Sequence, residues 1–97
     1  MAAEVFLYTT DYCGYCYRAA EFLRRKGVEF TEIDVTHDMR QRKWLLEATS
    51  RRTVPQCFIN GRSVGGFTDL VALDRSGELD RLLAEDPEQI GAGASGG

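Results

Sequence analysis

Two cysteines separated by a glycine and a tyrosine, Cys13-Gly14-Tyr15-Cys16, follow a short apolar run and precede a helix-patterned stretch. A Cys-x-x-Cys pair either holds a metal or cycles between dithiol and disulfide. At a strand-to-helix junction the second use is favoured, because the unsatisfied N–H groups and the dipole of the helix start stabilise a thiolate. A structural zinc site needs four Cys or His ligands. Beyond the pair this chain has only Cys57 and His37.

The surrounding pattern fixes what the junction belongs to. Val5–Thr9 is apolar, β-branched and aromatic, and reads as a buried strand. Cys16, Ala19, Ala20 and Leu23 fall at i, i+3, i+4 and i+7, one apolar helix stripe that Gly27 ends. Val28–Val35 alternates as a second strand. Thr36 is placed to cap a helix over roughly His37–Ser50, with Trp44, Leu45 and Ala48 inward. Gln56–Asn60 reads as a third strand, Asn60-Gly61 as a hairpin turn, and Arg62–Val64 as a return strand stopped by Gly65-Gly66. Thr68 is placed to cap a helix to about Arg75, and a last helix covers about Gly77–Leu83. The order β-α-β-α-β-β-α-α makes an α/β fold, a four-stranded mixed sheet flanked by helices. A Cys-x-x-Cys beside such a βαβ unit points to a thioredoxin-like redox domain.

Ninety-seven residues make one domain. Residues 1–84 are expected to form it and 85–97 a flexible tail, because Gly91–Gly97 carries no apolar side chains beyond alanine. The net charge of −3 leaves no footprint for nucleic acid. Nine of the twelve basic residues nevertheless lie between Arg18 and Arg52, which gives that region a cationic face. No leader or membrane-spanning stretch is evident, and three cysteines are unlike a secreted disulfide framework, so a cytoplasmic location is expected.

The two cysteines have different expected tasks. Cys13 lies at the helix start, reachable and beside free N–H donors, which suits the attacking thiolate. Asp11 and Arg18 act on it with opposite sign. Cys16 lies on the apolar stripe, so it is the more buried thiol and suits the resolving role. Two further segments leave their readings open on local sequence alone. Thr53-Val54-Pro55 is an ordinary loop proline or a cis-proline that turns the Val54 backbone outward. Gly65-Gly66-Phe67-Thr68-Asp69 is a plain hairpin exit or a cradle for the carboxylate and amine of an α-amino acid.

Taken together, Tyr8-Thr9, Cys13-Gly14-Tyr15-Cys16, Thr53-Val54-Pro55, Gly65-Gly66-x-x-Asp69 and Leu70–Asp74 followed by Gly77 and Leu79 resemble the dithiol glutaredoxins over about residues 4–84. The resemblance implies a cis-proline at Pro55 and a glutathione site built from Tyr15, Arg51, Arg52, Thr53, Val54, Pro55, Gly66, Phe67, Thr68 and Asp69. In it the Val54 backbone would pair with the cysteinyl part. Thr68 and Asp69 would hold the γ-glutamyl end. Arg51 and Arg52, with Arg40 or Lys43 as further candidates, would meet the glycyl carboxylate. Tyr15 would wall the site. The implied partners are glutathione and proteins carrying disulfides or bound glutathione, with the chain a monomer, or a glutathione-bridged homodimer if it binds a cluster, that touches neither nucleic acid nor membrane. For the class a potential of about −200 to −230 mV is expected. A thioredoxin site fits less well, since Trp44, the chain's one tryptophan, is far from the cysteines in sequence.

Two residues depart from the family pattern. Gly14 stands where a proline is usual, and relatives with a small residue there can hold a [2Fe–2S] cluster between two subunits through the first cysteine, here Cys13, and two glutathiones. Thr10 stands where many members carry a lysine. Cys57 is read as a core residue.

Overall fold

The computed structural model describes residues 3–11 and 13–85. Eight elements follow in the expected order: β1 (Val5–Thr9), α1 (Gly14–Arg25), β2 (Thr31–Asp34), α2 (Met39–Thr49), β3 (Gln56–Ile59), β4 (Arg62–Gly65), α3 (Phe67–Ser76) and α4 (Glu78–Ala84). The sheet order is β2-β1-β3-β4, with β1 parallel to β2 and antiparallel to β3, and β4 antiparallel to β3.

Period-two alternation along the central strands divides the core between the two faces of the sheet. Val5 and Leu7 of β1, with Cys57 and Ile59 of β3, face Ala19, Ala20 and Leu23 of α1, Leu70 of α3, and Leu79 and Leu82 of α4. Tyr8 and Phe58 face the other way, toward Val35 and Leu45. Three helices therefore cover one face and α2 covers the other. Cys57 has no exposed surface, and burial pushes its thiol up to about 12. It is core, as its position in the strand pattern suggests.

The boundaries shift where polar side chains capture backbone groups. Gly27 adopts φ +75° and the Val28 N–H donates to the Leu23 carbonyl at 3.0 Å, so residues 28–30 leave α1 rather than pair, and β2 begins only at Thr31. Thr36 does not cap α2. Its N–H and hydroxyl both donate to Asp34 Oδ1, at 2.9 and 2.6 Å, and its hydroxyl oxygen accepts from the Asp11 N–H. Asp38 caps the helix instead, accepting from the Gln41 N–H at 3.0 Å. Consequently α2 turns Leu45 inward but leaves Ala48 exposed and Trp44 44% exposed. The indole is still in aromatic contact with Tyr8 and Phe58, at centroid distances of 5.5 and 5.3 Å. Thr68 is likewise not a cap: α3 starts at Phe67, two residues earlier than a Thr68 cap would place it, with Gly66 as N-cap.

The Asn60-Gly61 turn behaves as expected, with φ +52° and +83° at its two residues. Asn60 does more than turn the chain. Its side chain accepts from the Glu4 N–H at 2.8 Å and donates to the Glu85 carbonyl at 3.1 Å, while its own N–H donates to the Glu4 carbonyl. Lys26, at the end of α1, bridges Asp74 of α3 and Asp80 of α4 at 2.6 and 3.1 Å. The expected tail lies, apart from Glu85, outside the described residues.

Candidate active site

Cys13 is the N-cap of α1, and its sulfur accepts from the Cys16 N–H at 3.1 Å. The short loop between β1 and α1 delivers it to the end of the sheet, where its half-buried thiol also donates to the Val54 carbonyl at 3.7 Å. The side chain thus occupies the position where a Ser or Asp cap would sit, and a negative sulfur there would keep the same N–H donor and meet the positive end of the helix dipole. Cys16 is 4% exposed on the inner face of α1. Burial first, then the hydrogen bond from the Cys13 side, pushes its thiol up to about 12. The order of exposure expected from the stripe is the one found.

Glu32 is a residue that sequence reasoning did not single out. It lines, with Thr10, Cys13, Gly14, Cys16, Tyr17 and Arg18, a depression of about 500 Å3 beside the cysteines. The parallel register pairs Glu32 with Leu7, and its carboxylate accepts from the Thr9 hydroxyl at 3.1 Å. Only strand register carries that placement, and register was not legible from the β2 pattern.

On the other side of Cys13 the Val54–Pro55 bond is cis. The loop is fixed from below by Gln56, whose side-chain amide donates to the Thr53 carbonyl at 2.9 Å. Gly66 packs on this loop so closely that a Cβ there would lie 3.0 Å from the Pro55 carbonyl oxygen. Phe67 follows, with its ring 6.3 Å from that of Tyr15 and 6.3 Å from that of Phe22. Tyr15 is 56% exposed, with the Arg18 guanidinium 5.6 Å above its ring. An unbroken line of contacts therefore runs from Cys13 through Val54 and Pro55 to Gly66, and then to Asp69.

Asp69 Oδ2 accepts from the Gly66 N–H at 2.9 Å and from Arg51 Nη1 at 2.9 Å. Arg51 first and the Gly66 N–H second hold the Asp69 carboxyl below the ordinary carboxylate range. Arg51 and Arg52, adjacent in sequence, serve different places. Arg51 lines a depression of about 710 Å3 together with Gly65 and Asp69. Arg52 lines another of about 470 Å3 with Met39, Arg42, Lys43, Thr53 and Val54. Arg42 thus joins Lys43 as a cation near Val54, a role the sequence did not single out. Arg40 does not line that depression, and Thr68 is exposed at the start of α3.

Among the described residues no group of three or more His, Cys, Asp or Glu side chains is placed to hold a metal ion. Among the same residues no helix is long and apolar enough to cross a membrane.

Comparison with known proteins agrees with this geometry. A family model described as Glutaredoxin matches residues 5–64. Glutaredoxin 3 of Escherichia coli K12 is 43% identical over 81 residues, covering 84% of this chain and 98% of that protein. A glutaredoxin of Pseudomonas aeruginosa is 46% identical over 80 residues, covering 82% and 95%. The solution structure of a glutaredoxin from Brucella melitensis superposes with a TM-score of 0.77 at 45% identity, over 84% of this chain and 89% of that one. A crystal structure of a buckwheat glutaredoxin–glutathione complex superposes with a TM-score of 0.77 at 28% identity, over 84% and 76%.

Proposed function

Since this chain belongs to the glutaredoxin family, and with it to the thiol–disulfide oxidoreductases, we propose that it uses glutathione, through Cys13, to reduce protein–glutathione mixed disulfides and protein disulfides. The observation that carries this reading is the continuous line from Cys13 to Asp69: a half-buried thiol 3.7 Å from the Val54 carbonyl, a cis Val54–Pro55 bond, and Gly66 packed on that turn.

The chemistry follows from the two thiols. Cys13 thiolate attacks the glutathione sulfur of a mixed disulfide, forming Cys13–S–S–glutathione and releasing the protein thiolate. A second glutathione thiolate attacks that glutathionyl sulfur, forming glutathione disulfide and returning Cys13 as thiolate. With a protein disulfide, Cys13 bonds to one protein sulfur and frees the other. Cys16, once deprotonated, then attacks Cys13 and releases the protein, leaving the Cys13–Cys16 disulfide for two glutathiones to reduce. In this reading Thr53, Val54 and Pro55 present backbone to the cysteinyl part of glutathione. Gly66, Phe67, Thr68 and Asp69 receive its γ-glutamyl end, Arg52 with Arg42 and Lys43 faces its glycyl carboxylate, and Tyr15 packs beside it. The site belongs to a domain of residues 1–84, acting in a reducing, cytoplasmic compartment.

The test compares one peptide carried as its glutathione mixed disulfide and as its cysteamine mixed disulfide. Glutathione is the reductant, recycled by glutathione reductase. Several charge-assisted contacts to the tripeptide should give the glutathionylated peptide an advantage in kcat/KM of about tenfold or more. Equal rates on the two would sink the glutathione reading and leave a general dithiol reductant.

A second reading, a [2Fe–2S] cluster carried between two copies, has one observation in its favour. A Cβ at Gly14 would meet nothing within 4 Å, so the residue next to Cys13 adds no bulk to the surface that a second copy would approach. Each copy would contribute Cys13, and two glutathiones the remaining thiolates; such a cluster supplies one-electron chemistry or transferable iron and sulfide. Protein purified without oxygen in the presence of glutathione should then be a brown dimer that bleaches and dissociates when glutathione is removed. A colourless monomer after reconstitution with iron and sulfide rules it out.

A further inference from the structure

β4 is an edge strand: among the described residues β3 lies on one side of it and no strand on the other. A depression of about 710 Å3 runs along that open edge, lined by Arg62–Gly65. Thr49 and Arg51 border it from the α2 side, Ala72 and Leu73 from α3. None of Cys13, Val54, Gly66 or Phe67 lines it, so it is separate from the thiol site. Apolar surface is open there, since Val64 and Leu73 are half-buried and Ala72 is exposed. An arginine stands at each end. Arg62 begins β4, and its ion pair with Glu85 is loose, at 4.0 Å. Arg51 reaches the Gly65 end, where Asp69 takes its Nη1 at 2.9 Å. Each guanidinium carries five N–H donors, so most are left for a further carboxylate.

The chain itself brings matching groups to this groove. Glu85 is held at the Arg62 end, where the Asn60 amide donates to its carbonyl at 3.1 Å. It leaves α4 at φ −73° and ψ 142°, the polyproline II conformation. Pro87 follows two residues later and biases Asp86 toward the same region, which opposes a return to helix. Polyproline II has three residues per turn and a rise of about 3.1 Å, so residues three apart share a side about 9 Å apart. Glu85 and Glu88 are one such pair, and Pro87 and Ile90 another. Arg62 and Gly65, three residues apart in a strand, span about 10 Å, so the spacings agree. A fifth sheet strand is disfavoured on this edge. β4 runs parallel to β1, and α1, α3 and α4 share one sheet face. A strand entered from α4 beyond β4 would therefore be reached by moving across the sheet opposite to the β1-to-β2 step. That is a left-handed crossover, which is rare.

We propose that residues 85–90 dock along the open edge of β4 as a polyproline II strap, with Glu85 on Arg62, Glu88 on Arg51, and Pro87 and Ile90 over Val64, Ala72 and Leu73. Tethering at Glu85 makes the docking intramolecular, so individually weak contacts act at high effective concentration. The strap masks an edge that otherwise offers its backbone to strands of other chains. Within the tail, only Gly91–Gly97 then keeps the composition of a flexible linker.

The test is 15N relaxation on the full chain. At low salt Glu88, Gln89 and Ile90 should have order parameters above about 0.7, against below about 0.5 for Gly93–Gly97. Ile90→Ser should bring the three values below about 0.5 and shift the amide resonances of Val64, Ala72 and Leu73. That substitution lies beyond the eight elements, so loss of the fold does not imitate the result. Arg51→Gln, made in the body of the domain, should release Glu88, and so should raising the salt to about 0.5 M. Parent values below about 0.5 at Glu88–Ile90 overturn the proposal. It is overturned equally if Ile90→Ser shifts resonances of other elements and not those of β4 and α3, or if Arg51→Gln leaves Glu88 as ordered as in the parent.

Discussion

Cys13→Ser should abolish reduction of glutathione mixed disulfides and of protein disulfides alike, by on the order of a thousandfold or more, the scale seen when a covalent nucleophile is removed. Cys16→Ser should abolish only the second, leaving turnover of a glutathionylated peptide within about threefold of the parent. The asymmetry comes from where α1 places the two sulfurs. Cys13 caps the helix at the surface, whereas Cys16 is 4% exposed with its thiol pushed up to about 12, chiefly by burial. At pH 7 such a thiol is ionised in roughly one molecule in a hundred thousand. Its thiolate fraction rises about tenfold for each pH unit below 12. The sign is therefore fixed: between pH 7 and 9 the resolving step should accelerate steeply. Deglutathionylation, which bypasses Cys16, should not acquire that slope from it. Rates of both reactions measured on the parent across that range would check this, and parallel slopes would show that Cys16 is not the group being deprotonated.

Gly65→Ala should be the most damaging glycine-to-alanine change among the described residues. Gly65 has φ +95°, and its added Cβ would lie 2.3 Å from Asp69 Oδ2 and 2.6 Å from its Cγ. The backbone cost of the left-handed region is about 1 kcal/mol. Expelling the Asp69 carboxylate also removes the hydrogen bond to the Gly66 N–H and the pair with Arg51. The sum is about 2–4 kcal/mol, a large part of the stability of so small a domain. For a chain of this length that is a fall in Tm of roughly 10–25 °C. Gly77→Ala is the natural control. Gly77 has φ +82° but nothing within 4 Å of an added Cβ, so it incurs the backbone cost alone. Equal losses at the two sites would mean that Asp69 moves aside freely. The Asp69 side of the site would then be far less rigid than the hydrogen bonds on Oδ2 imply.

Most of this fold was readable because its signals are strong and local. The apolar run of β1, the four-residue stripe of α1, the Asn60-Gly61 turn and the order of the eight elements all stand as read. The site was readable too at its covalent centre, where a helix stripe alone separates a surface thiol from a buried one. What escaped was decided by competition between near-equivalent polar groups. Thr36, Asp38 and Thr68 are all good helix caps by type. Asp34 captures Thr36 and leaves Asp38 to start α2, and Gly66 starts α3 with Asp69 reaching back to its N–H. Which of several good acceptors meets which donor depends on loop path, and no periodicity encodes it. The same holds for Arg51 and Arg52. Adjacent positions in a loop give no hint that one cation reaches across to α3 while its neighbour stays beside α2 and Val54.

Asn60 has a consequence for how the domain can be used. Its side chain and backbone hold Glu4 and Glu85 at the same turn, one just before β1 and the other just after α4. Residues 4 and 85 therefore lie side by side. They do so at the start of β1, whereas Cys13 lies beyond that strand's finish, about 15 Å along the chain direction. Glu4 and Glu85 thus lie together on the side away from the thiols. A domain wired this way can be spliced into a loop of a larger protein, or strung in series with copies of itself, with its reactive end still pointing outward.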